Sequence, residues 1–184
     1  MQKNDFFIPK FAINFLKEEE GCKLEAYKDG MGQWTIGYGT SFYPLECEIE
    51  NKWKKRKVKI NEAVKEGDKI DIISAEKFLI SYLQHFCLQD IKDITSAVGT
   101  ECVVNGEKKK KLSDEQVASI LSVSYNVCRP KFSQSKCKQY IIKRMQRDAC
   151  REWNWGVKNT KNPGLKIRRN KEIELFYGIH NFWS

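Results

Sequence analysis

Two carboxylates, Glu20 and Asp29, are the residues whose type and spacing best suit a catalytic reaction. Glu20 lies at the predicted end of a helix and Asp29 in a predicted hairpin turn. Glycoside hydrolysis needs such a pair across a cleft, one group to protonate the leaving oxygen and one to act as base or nucleophile. A helix carboxyl terminus favours the protonated form of a carboxyl, as a general acid requires. Because the chain has 24 acidic residues, the pair taken alone also fits solvated surface.

Other catalytic chemistries find little support in the sequence. It has no Walker-type phosphate loop, no G-x-S-x-G or H-E-x-x-H motif and no glycine-rich βαβ fingerprint. Its 2 histidines and 7 cysteines show no C-x-x-C or zinc-finger spacing, so we expect no metal and no cofactor. The cysteines indicate a reducing compartment, with one or two disulfides left open as an alternative.

The elements that carry the two carboxylates are predicted from local patterns. Pro9 and the apolar spacing from Ile8 to Leu16 predict an amino-terminal helix that stops at Gly21. The sequence at 29–32 predicts a turn between short strands at 26–28 and 33–38. Two further short strands are predicted at 57–60 and 69–73, inside a charged stretch that runs from 42 to 71.

The remainder of the chain is predicted to be helical, which gives an α+β fold. Helix starts are predicted at Ser74, at a capping box of Ser113 and Gln116, and at Ser133 or Ser135. A last helix is predicted from about Leu165, and the segment at 103–111 is predicted to be a turn-containing loop.

The charge of the chain suggests partners without selecting one. It carries 33 basic against 24 acidic residues, a net charge of +9. The lysine clusters at 52–59 and 108–111 lie in predicted loops, where lysines are ordinarily solvated, although a basic surface also suits nucleic acid or an anionic bacterial wall. We expect no nucleic-acid partner. The length of 184 residues predicts one domain, and no apolar run approaches the roughly 20 residues of a membrane helix.

The stretch from Glu20 to Gly39 resembles the active-site segment of phage-type (T4-like) lysozymes, the muramidase endolysins of glycoside hydrolase family 24. Their signature places Glu, Asp and Thr at fixed spacing within E-G-x-x-L-x-x-Y-x-D and T-I-G-x-G. The chain has Glu20, Asp29 and Thr35 at those spacings. Looser likeness follows at 65–70, at 112–135 and at 164–176, and the last segment is interpreted as the family's G-L-x-x-R-R-x-x-E segment running to Glu174.

The resemblance implies a muramidase that hydrolyses β-1,4 bonds between N-acetylmuramic acid and N-acetylglucosamine in peptidoglycan. It implies Glu20 as the general acid. It implies Asp29 as support for positive charge at the sugar carbon, or as base on a water that Thr35 holds. Carboxylates ~6.5–9.5 Å apart would then give inversion.

The resemblance also assigns residues of the helical part, each with an alternative from packing. Arg168 is implied as the partner of the catalytic glutamate, and a surface arginine is the equal alternative. Tyr125 and Asn126 are implied to line the sugar cleft, with helix packing as the alternative for Tyr125.

Three departures from the family pattern bear on these expectations. Thr40 stands where many relatives have histidine, and Cys128 stands where relatives often have glycine in a left-handed turn. The charged stretch at 42–71 is longer than the usual connection, and it is interpreted either as an aid to wall binding or as a decorated loop.

The resemblance implies a single lysozyme-like domain with a small β-containing lobe at about 22–73. The N-terminal helix and residues 74–184 would form a larger helical lobe, with the active-site cleft between the lobes. We expect a monomer, made in the cytoplasm without an evident signal peptide and released to the wall through a holin. Two alternatives stay open, a weakly active or inactive module that binds wall or nucleic acid, and a chitinase-like enzyme.

Overall fold

A computed structural model describes residues 7–104, 107–127, 129–153 and 163–180. The strands are β1 (Lys23–Lys28), β2 (Trp34–Gly37), β3 (Cys47–Asn51), β4 (Lys54–Val58), β5 (Asp68–Lys69), β6 (Thr100–Val104) and β7 (Glu107–Lys111). The helices are α1 (Lys10–Glu20), α2 (Ile72–Tyr82), α3 (Leu88–Val98), α4 (Asp114–Val127), α5 (Arg129–Ser133), α6 (Lys136–Ile142), α7 (Gln146–Glu152) and α8 (Pro163–Tyr177), and a π-helical turn spans Leu83–Cys87. These elements confirm the predicted α+β class.

The contacts divide the chain into two compact units, residues 17–85 and residues 1–16 with 86–184. The first unit contains an antiparallel five-stranded sheet in the order β2-β1-β5-β3-β4. Tyr43 packs edge-on against Phe78 of α2, with ring centroids 5.5 Å apart. These rings belong to the buried apolar core of the unit, which consists of Ile36, Tyr43, Ile49, Val58, Val64 and Phe78.

The charged stretch at 42–71 folds differently from the prediction. It forms a regular hairpin of β3 and β4 and a two-residue strand β5, so the strands predicted at 57–60 and 69–73 are displaced. The cluster at 52–59 is therefore largely strand and not loop. The hairpin was not predicted because its exposed face consists of charged residues. On that face Glu48 lies directly opposite Lys57, and Glu50 lies opposite Lys55.

The start of α2 is also earlier than predicted. Asp71 is the N-cap, and its Oδ1 accepts a hydrogen bond from the Ser74 amide at 2.6 Å. Ser74 is thus the recipient of the cap and not the cap itself. Aspartate and serine are both good N-caps, so the sequence alone does not select between them. Lys69 pairs with β1 as part of β5, and this pairing sets where the strand ends and the helix begins.

The second unit is mainly helical and its central helix is α4. Every residue of α4 from Val117 to Ser124 is buried, as expected for a helix surrounded by others. The capping box is confirmed, since Ser113 and Gln116 exchange side-chain to backbone hydrogen bonds of 3.1 and 3.2 Å. Ser135 caps α6 through the Lys138 amide, which decides between the two predicted serines.

The segment predicted as a loop at 103–111 is a second hairpin, formed by β6 and β7. All five residues of β7 are exposed, so the lysines at 108–111 are solvated as expected but on a strand. The Asn105-Gly106 part of that prediction, the departure at Cys128 and the first six residues lie outside the described residues.

The described cysteines Cys22, Cys47, Cys87, Cys137 and Cys150 are free thiols. Cys87, Cys137 and Cys150 are buried, as their helical positions predict. Within the described ranges no helix is long and apolar enough to cross a membrane.

Candidate active site

Glu20 is the last residue of α1. The helix ends there because Gly21 adopts a φ of +62°, a left-handed conformation that glycine accepts without strain. The Gly21 amide donates to the Lys17 carbonyl at 3.1 Å. Glu20 is half-buried, and its Oε1 atom is shielded from solvent. Burial at a helix carboxyl terminus disfavours a negative charge, so this position suits a proton donor.

Asp29 is held by the turn that it forms between β1 and β2. Its Oδ1 accepts hydrogen bonds from the amides of Met31 and Gln33, both at 2.9 Å. Its own amide donates to the Gln33 carbonyl at 2.9 Å, which closes the hairpin. This side-chain turn is a common reason for aspartate at such a position. Among the described residues, hydrogen bonds reach the Asp29 carboxylate only at Oδ1, which fixes its orientation.

Thr35 lies on β2 directly opposite Tyr27 of β1. Cross-strand partners in an antiparallel sheet project to the same face, so the threonine and the tyrosine are neighbours. Thr35 is 3% exposed. Its Oγ1 donates to the Gln33 carbonyl at 3.3 Å and lies 3.2 Å from the Ser41 hydroxyl.

Tyr27 connects the two carboxylates electrostatically. Burial raises the pKa of its phenol first, and the negative charges of Asp29 and then Glu20 raise that pKa further. A single phenol responds to both charges only if both lie near it. The structure therefore brings Glu20, Asp29 and the Tyr27–Thr35 pair into one neighbourhood within residues 17–85. Tyr27 is the tyrosine of the E-G-x-x-L-x-x-Y-x-D motif, and the sequence alone does not show that both carboxylates act on it.

The last turn of α1 is tied to α2. The Lys17 ammonium donates to Glu76 Oε2 at 2.7 Å and lies 5.9 Å from the centroid of the Tyr38 ring. The hydrogen bond to Glu76 is the largest of the effects that raise the Lys17 pKa. Because Lys17 lies three residues before Glu20, this contact fixes the turn that carries the proposed acid.

Arg168 is buried in the helical unit, with 6% exposure, and is not a surface arginine. Its Nε donates to Glu172 Oε1 and to Ser122 Oγ, both at 3.2 Å. Arg169 Nη1 donates to both Glu172 oxygens at 2.9 and 2.8 Å, and Trp153 Nε1 donates to Oε2 at 3.0 Å. Glu172 itself is fully buried. This network joins α8 to α4, and the predicted pairing of Arg168 with the catalytic glutamate stays a prediction.

Glu172 is the residue that the sequence interpretation missed. The motif R-R-x-x-E, counted from Arg168, ends at Glu172, whereas the segment was interpreted as running to Glu174. Glu174 is exposed, and its Oε1 atom lies 2.9 Å from Nδ1 of His180. The signal was present in the sequence, because i,i+3 and i,i+4 spacing places Glu172 beside both arginines on one helix.

The two predicted sugar contacts lie at the end of α4. Tyr125 is half-buried and Asn126 is exposed. The Asn126 Oδ1 accepts a hydrogen bond from Arg169 Nη2. Their contact with the sugar chain stays a prediction. In the described part of the chain, no three His, Cys, Asp or Glu residues are placed to hold a metal ion.

Comparison with known proteins identifies a family and several solved structures that this chain resembles. The model of one protein family, described as phage lysozyme, matches residues 17–172. The endolysin of Escherichia coli O157:H7 phage FAHEc1 is 23% identical, with 96% of this chain and 97% of that chain aligned at a TM-score of 0.58. A mutant P22 lysozyme is 24% identical, with 93% and 98% aligned at a TM-score of 0.61.

The muramidase domain of SpmX from Asticaccaulis excentricus is 19% identical, with 93% of this chain and 97% of that chain aligned at a TM-score of 0.61. At these identities the structural likeness establishes the fold alone. A comparison with curated protein sequences gives no match.

Proposed function

The chain belongs to the phage lysozyme family, and on that premise we propose that it cleaves the β-1,4 bond between N-acetylmuramic acid and N-acetylglucosamine. Membership makes it a glycoside hydrolase that degrades peptidoglycan. The proposal specifies in addition which bond is cleaved and which residues act. Glu20 is the acid, and Asp29 and Thr35 act on the attacking water. It also implies action on the cell wall.

The observation that carries the proposal is the shared neighbourhood of the two carboxylates. The phenol of Tyr27 responds to the charges of Asp29 and Glu20, and Thr35 lies opposite that tyrosine. A glycosidase needs two carboxyl groups in one place but in different states, one protonated and one ionised. The shielded Oε1 of Glu20 favours the protonated state. Two amide donors orient the Asp29 carboxylate.

In the proposed reaction, Glu20 gives its proton to the glycosidic oxygen as the bond to the sugar carbon breaks. The Asp29 carboxylate, held through Oδ1, uses its other oxygen to orient a water and to take its proton. The Thr35 hydroxyl holds the same water. Attack from the face opposite the leaving group inverts the anomeric carbon. Glu20 is reprotonated from solvent and Asp29 loses its proton to solvent before the next cycle.

Residues of the helical unit complete the proposal. Arg168 is assigned as the partner of Glu20, and Tyr125 and Asn126 as contacts of the sugar chain, by their place in the family pattern. The protein is proposed to act as a monomer and to reach the wall through a holin. The buried position of Arg168 supports a role that is not merely surface charge.

Analysis of the products tests the bond and the stereochemistry together. Purified peptidoglycan is digested, and the new reducing ends are identified by borohydride reduction and mass spectrometry. The proposal predicts reduced N-acetylmuramic acid, with the α-anomer formed first in a proton NMR time course. Reducing ends on N-acetylglucosamine would assign a different bond, and cleavage of chitin at a comparable rate would favour the chitinase-like alternative.

A further inference from the structure

Trp53 occupies a position that neither burial nor backbone preference explains. It is 87% exposed at the turn between β3 and β4. Lys52 and Trp53 have φ values of +47° and +69°, the two positive angles of a type I′ turn. Asn-Gly is the favoured pair there, and a bulky residue at positive φ is an outlier. A strained residue that gains no burial indicates a role outside folding.

An open pocket of about 480 Å³ lies along β1, β3 and β5, and Lys69 connects it to this tryptophan, which does not itself line the pocket. The ammonium of Lys69, which lines the pocket, is 5.4 Å from the centroid of the Trp53 ring and 2.6 Å from Glu25 Oε1. The charged lining residues are Glu25, Glu48, Glu50, Asp71, Lys55 and Lys69. A flat aromatic surface therefore adjoins a set of hydrogen-bond donors and acceptors.

The hairpin that carries Trp53 is rigidly anchored. Asp68 is fully buried and accepts hydrogen bonds from Arg56 at 2.7 and 3.1 Å, from Asn51 at 2.7 Å and from Tyr43 at 2.8 Å. Asn51 immediately precedes the turn, so the network holds the base of the turn in place. A ring carried on an anchored turn costs little backbone freedom when it binds a ligand.

The charge of the pocket selects among ligands. Four of the six charged lining residues are acidic, in a chain whose net charge is +9. Because Glu25 and Glu48 are paired with Lys69 and Lys55, the lining keeps an excess of about two negative charges, which disfavours nucleic acid and other polyanions. Carboxylates and ammonium groups hydrogen-bond to hydroxyl and acetamido groups, and an indole ring stacks on the apolar face of a pyranose ring.

We propose that Trp53 and the adjoining pocket form a second binding site for neutral N-acetylated amino-sugar rings of the glycan strand. This site rests on the muramidase function proposed above and adds an anchoring contact made by the β3–β4 hairpin. The site is separate from the Glu20 and Asp29 neighbourhood, since the residues that line the pocket include neither of these carboxylates nor Tyr27 or Thr35.

A titration with N-acetylglucosamine oligomers tests the site without turnover of peptidoglycan. The indole N–H signal of Trp53 is identified by its absence in Trp53→Gly. The wild-type signal is expected to shift in a saturable manner, and Trp53→Tyr, which keeps a ring, is expected to retain oligomer binding. Trp53→Gly is expected to lose it while melting at a higher temperature, because glycine relieves the positive φ. An unshifted indole, or a shift with heparin alone, overturns the proposal.

Kinetics on insoluble peptidoglycan separate this site from the catalytic proposal. Trp53→Gly is expected to raise the half-saturating wall concentration about tenfold with an unchanged maximal rate, which corresponds to about 1.4 kcal/mol of binding free energy. Phe42→Ala, which removes another exposed ring of the same unit, is the matched control and is expected to match wild type. Equal kinetics for both variants overturn the site. A wild-type protein without activity refutes the proposed function, and the oligomer titration still decides the site.

Discussion

The Asp29 carboxylate is both the hydrogen-bond acceptor of a turn and the proposed base, and two substitutions separate these tasks. Asp29→Asn keeps an oxygen for the amides of Met31 and Gln33 but removes the charge. We expect kcat to fall at least about a hundredfold, since general acid–base groups contribute ~10²–10⁴. The melting temperature should stay close to that of wild type.

Asp29→Ala is the companion variant, because it removes the acceptor as well as the charge. We expect the same loss of kcat together with a loss of about 1 kcal/mol in the free energy of unfolding. Steady-state wall lysis and urea denaturation measure the two effects. Asp29→Asn with near wild-type kcat would remove Asp29 from the reaction and leave it a turn residue.

At the residue scale, the proposed catalytic residues were predicted from sequence because their signals are local. Glu20, Asp29 and Thr35 lie within one short stretch whose turns and helix end follow from Gly21 and the aspartate itself. The roles of Tyr27 and Glu172 were not predicted. The first depends on strand register, and the second on contacts between α4 and α8 that are distant in sequence.

The contact between α1 and α2 is an element-scale feature with a functional consequence. Lys17→Met removes the hydrogen bond to Glu76. Because this ion pair is partly exposed, the free energy of unfolding should change by less than ~1 kcal/mol. The turn that carries Glu20 loses its anchor, and we expect kcat/KM to fall about tenfold, because small displacements of a catalytic group are costly.

Two further variants identify the cause of that loss. The exchange Lys17→Glu with Glu76→Lys restores the pair and should recover most of the activity. Lys10→Met, at the exposed start of the same helix, should behave as wild type. A Lys17→Met protein with full activity would show that the helix end holds its position unaided.

The β3–β4 hairpin is predicted to weaken in acid. The Lys65 ammonium, the Lys59 amide and Arg56 lower the pKa of Glu62 from 4.5 to about 2. Hydrogen bonds from Arg56 and Asn51 also lower the pKa of Asp68, although its burial opposes this. A carboxyl with a lowered folded-state pKa stabilises the fold above its unfolded pKa and loses that effect as pH falls.

The free energy of unfolding should therefore drop between about pH 4.5 and pH 2. Urea denaturation at several pH values measures this drop. Glu62→Gln should flatten the dependence, whereas Glu46→Gln, at an exposed glutamate of the same unit, should leave it unchanged. Identical acid profiles for wild type and Glu62→Gln would contradict the assignment.

At the element scale, the predictions that succeeded were helices with periodic apolar faces and a clear capping box. The hairpins at 47–58 and 100–111 were missed because most residues of β4 and β7 are charged and every residue of β7 is exposed. β4 and β7 lack the alternation of apolar and polar residues, and in β3 this alternation is limited to Cys47 and Ile49. The β3–β4 hairpin is held to the buried Asp68 through Arg56 and Asn51, contacts that the sequence alone does not place.

At the scale of the whole molecule, the net charge of +9 should act on encounter with the wall. Attraction to anionic wall polymers is screened as the Debye length shrinks to a few ångströms in concentrated salt. We expect lysis of walls that carry such polymers to slow several-fold between about 50 and 300 mM NaCl. Walls chemically stripped of them should show a much weaker dependence. Equal salt dependence for both walls would assign no role to the net charge.

The overall fold was predicted correctly as α+β from the order of the elements, and the family pattern supplied its lysozyme-like form. The features that were not predicted depend on contacts between residues that are far apart in the sequence. The Glu172 network in the helical unit and the Asp68 network in the sheet unit both bury charges whose partners come from several elements. Local spacing identifies such residues only as charged.

The central claim is that Glu20 is the proton donor of a muramidase. The most direct test is the clearing of a purified peptidoglycan suspension by wild type, Glu20→Gln and Glu18→Gln, followed as turbidity. Glu18 is an exposed glutamate of the same helix and serves as the matched control. We predict that Glu18→Gln clears the suspension like wild type, whereas Glu20→Gln is at least about a hundredfold slower with an unchanged melting temperature. Clearing by Glu20→Gln at the wild-type rate would contradict the account.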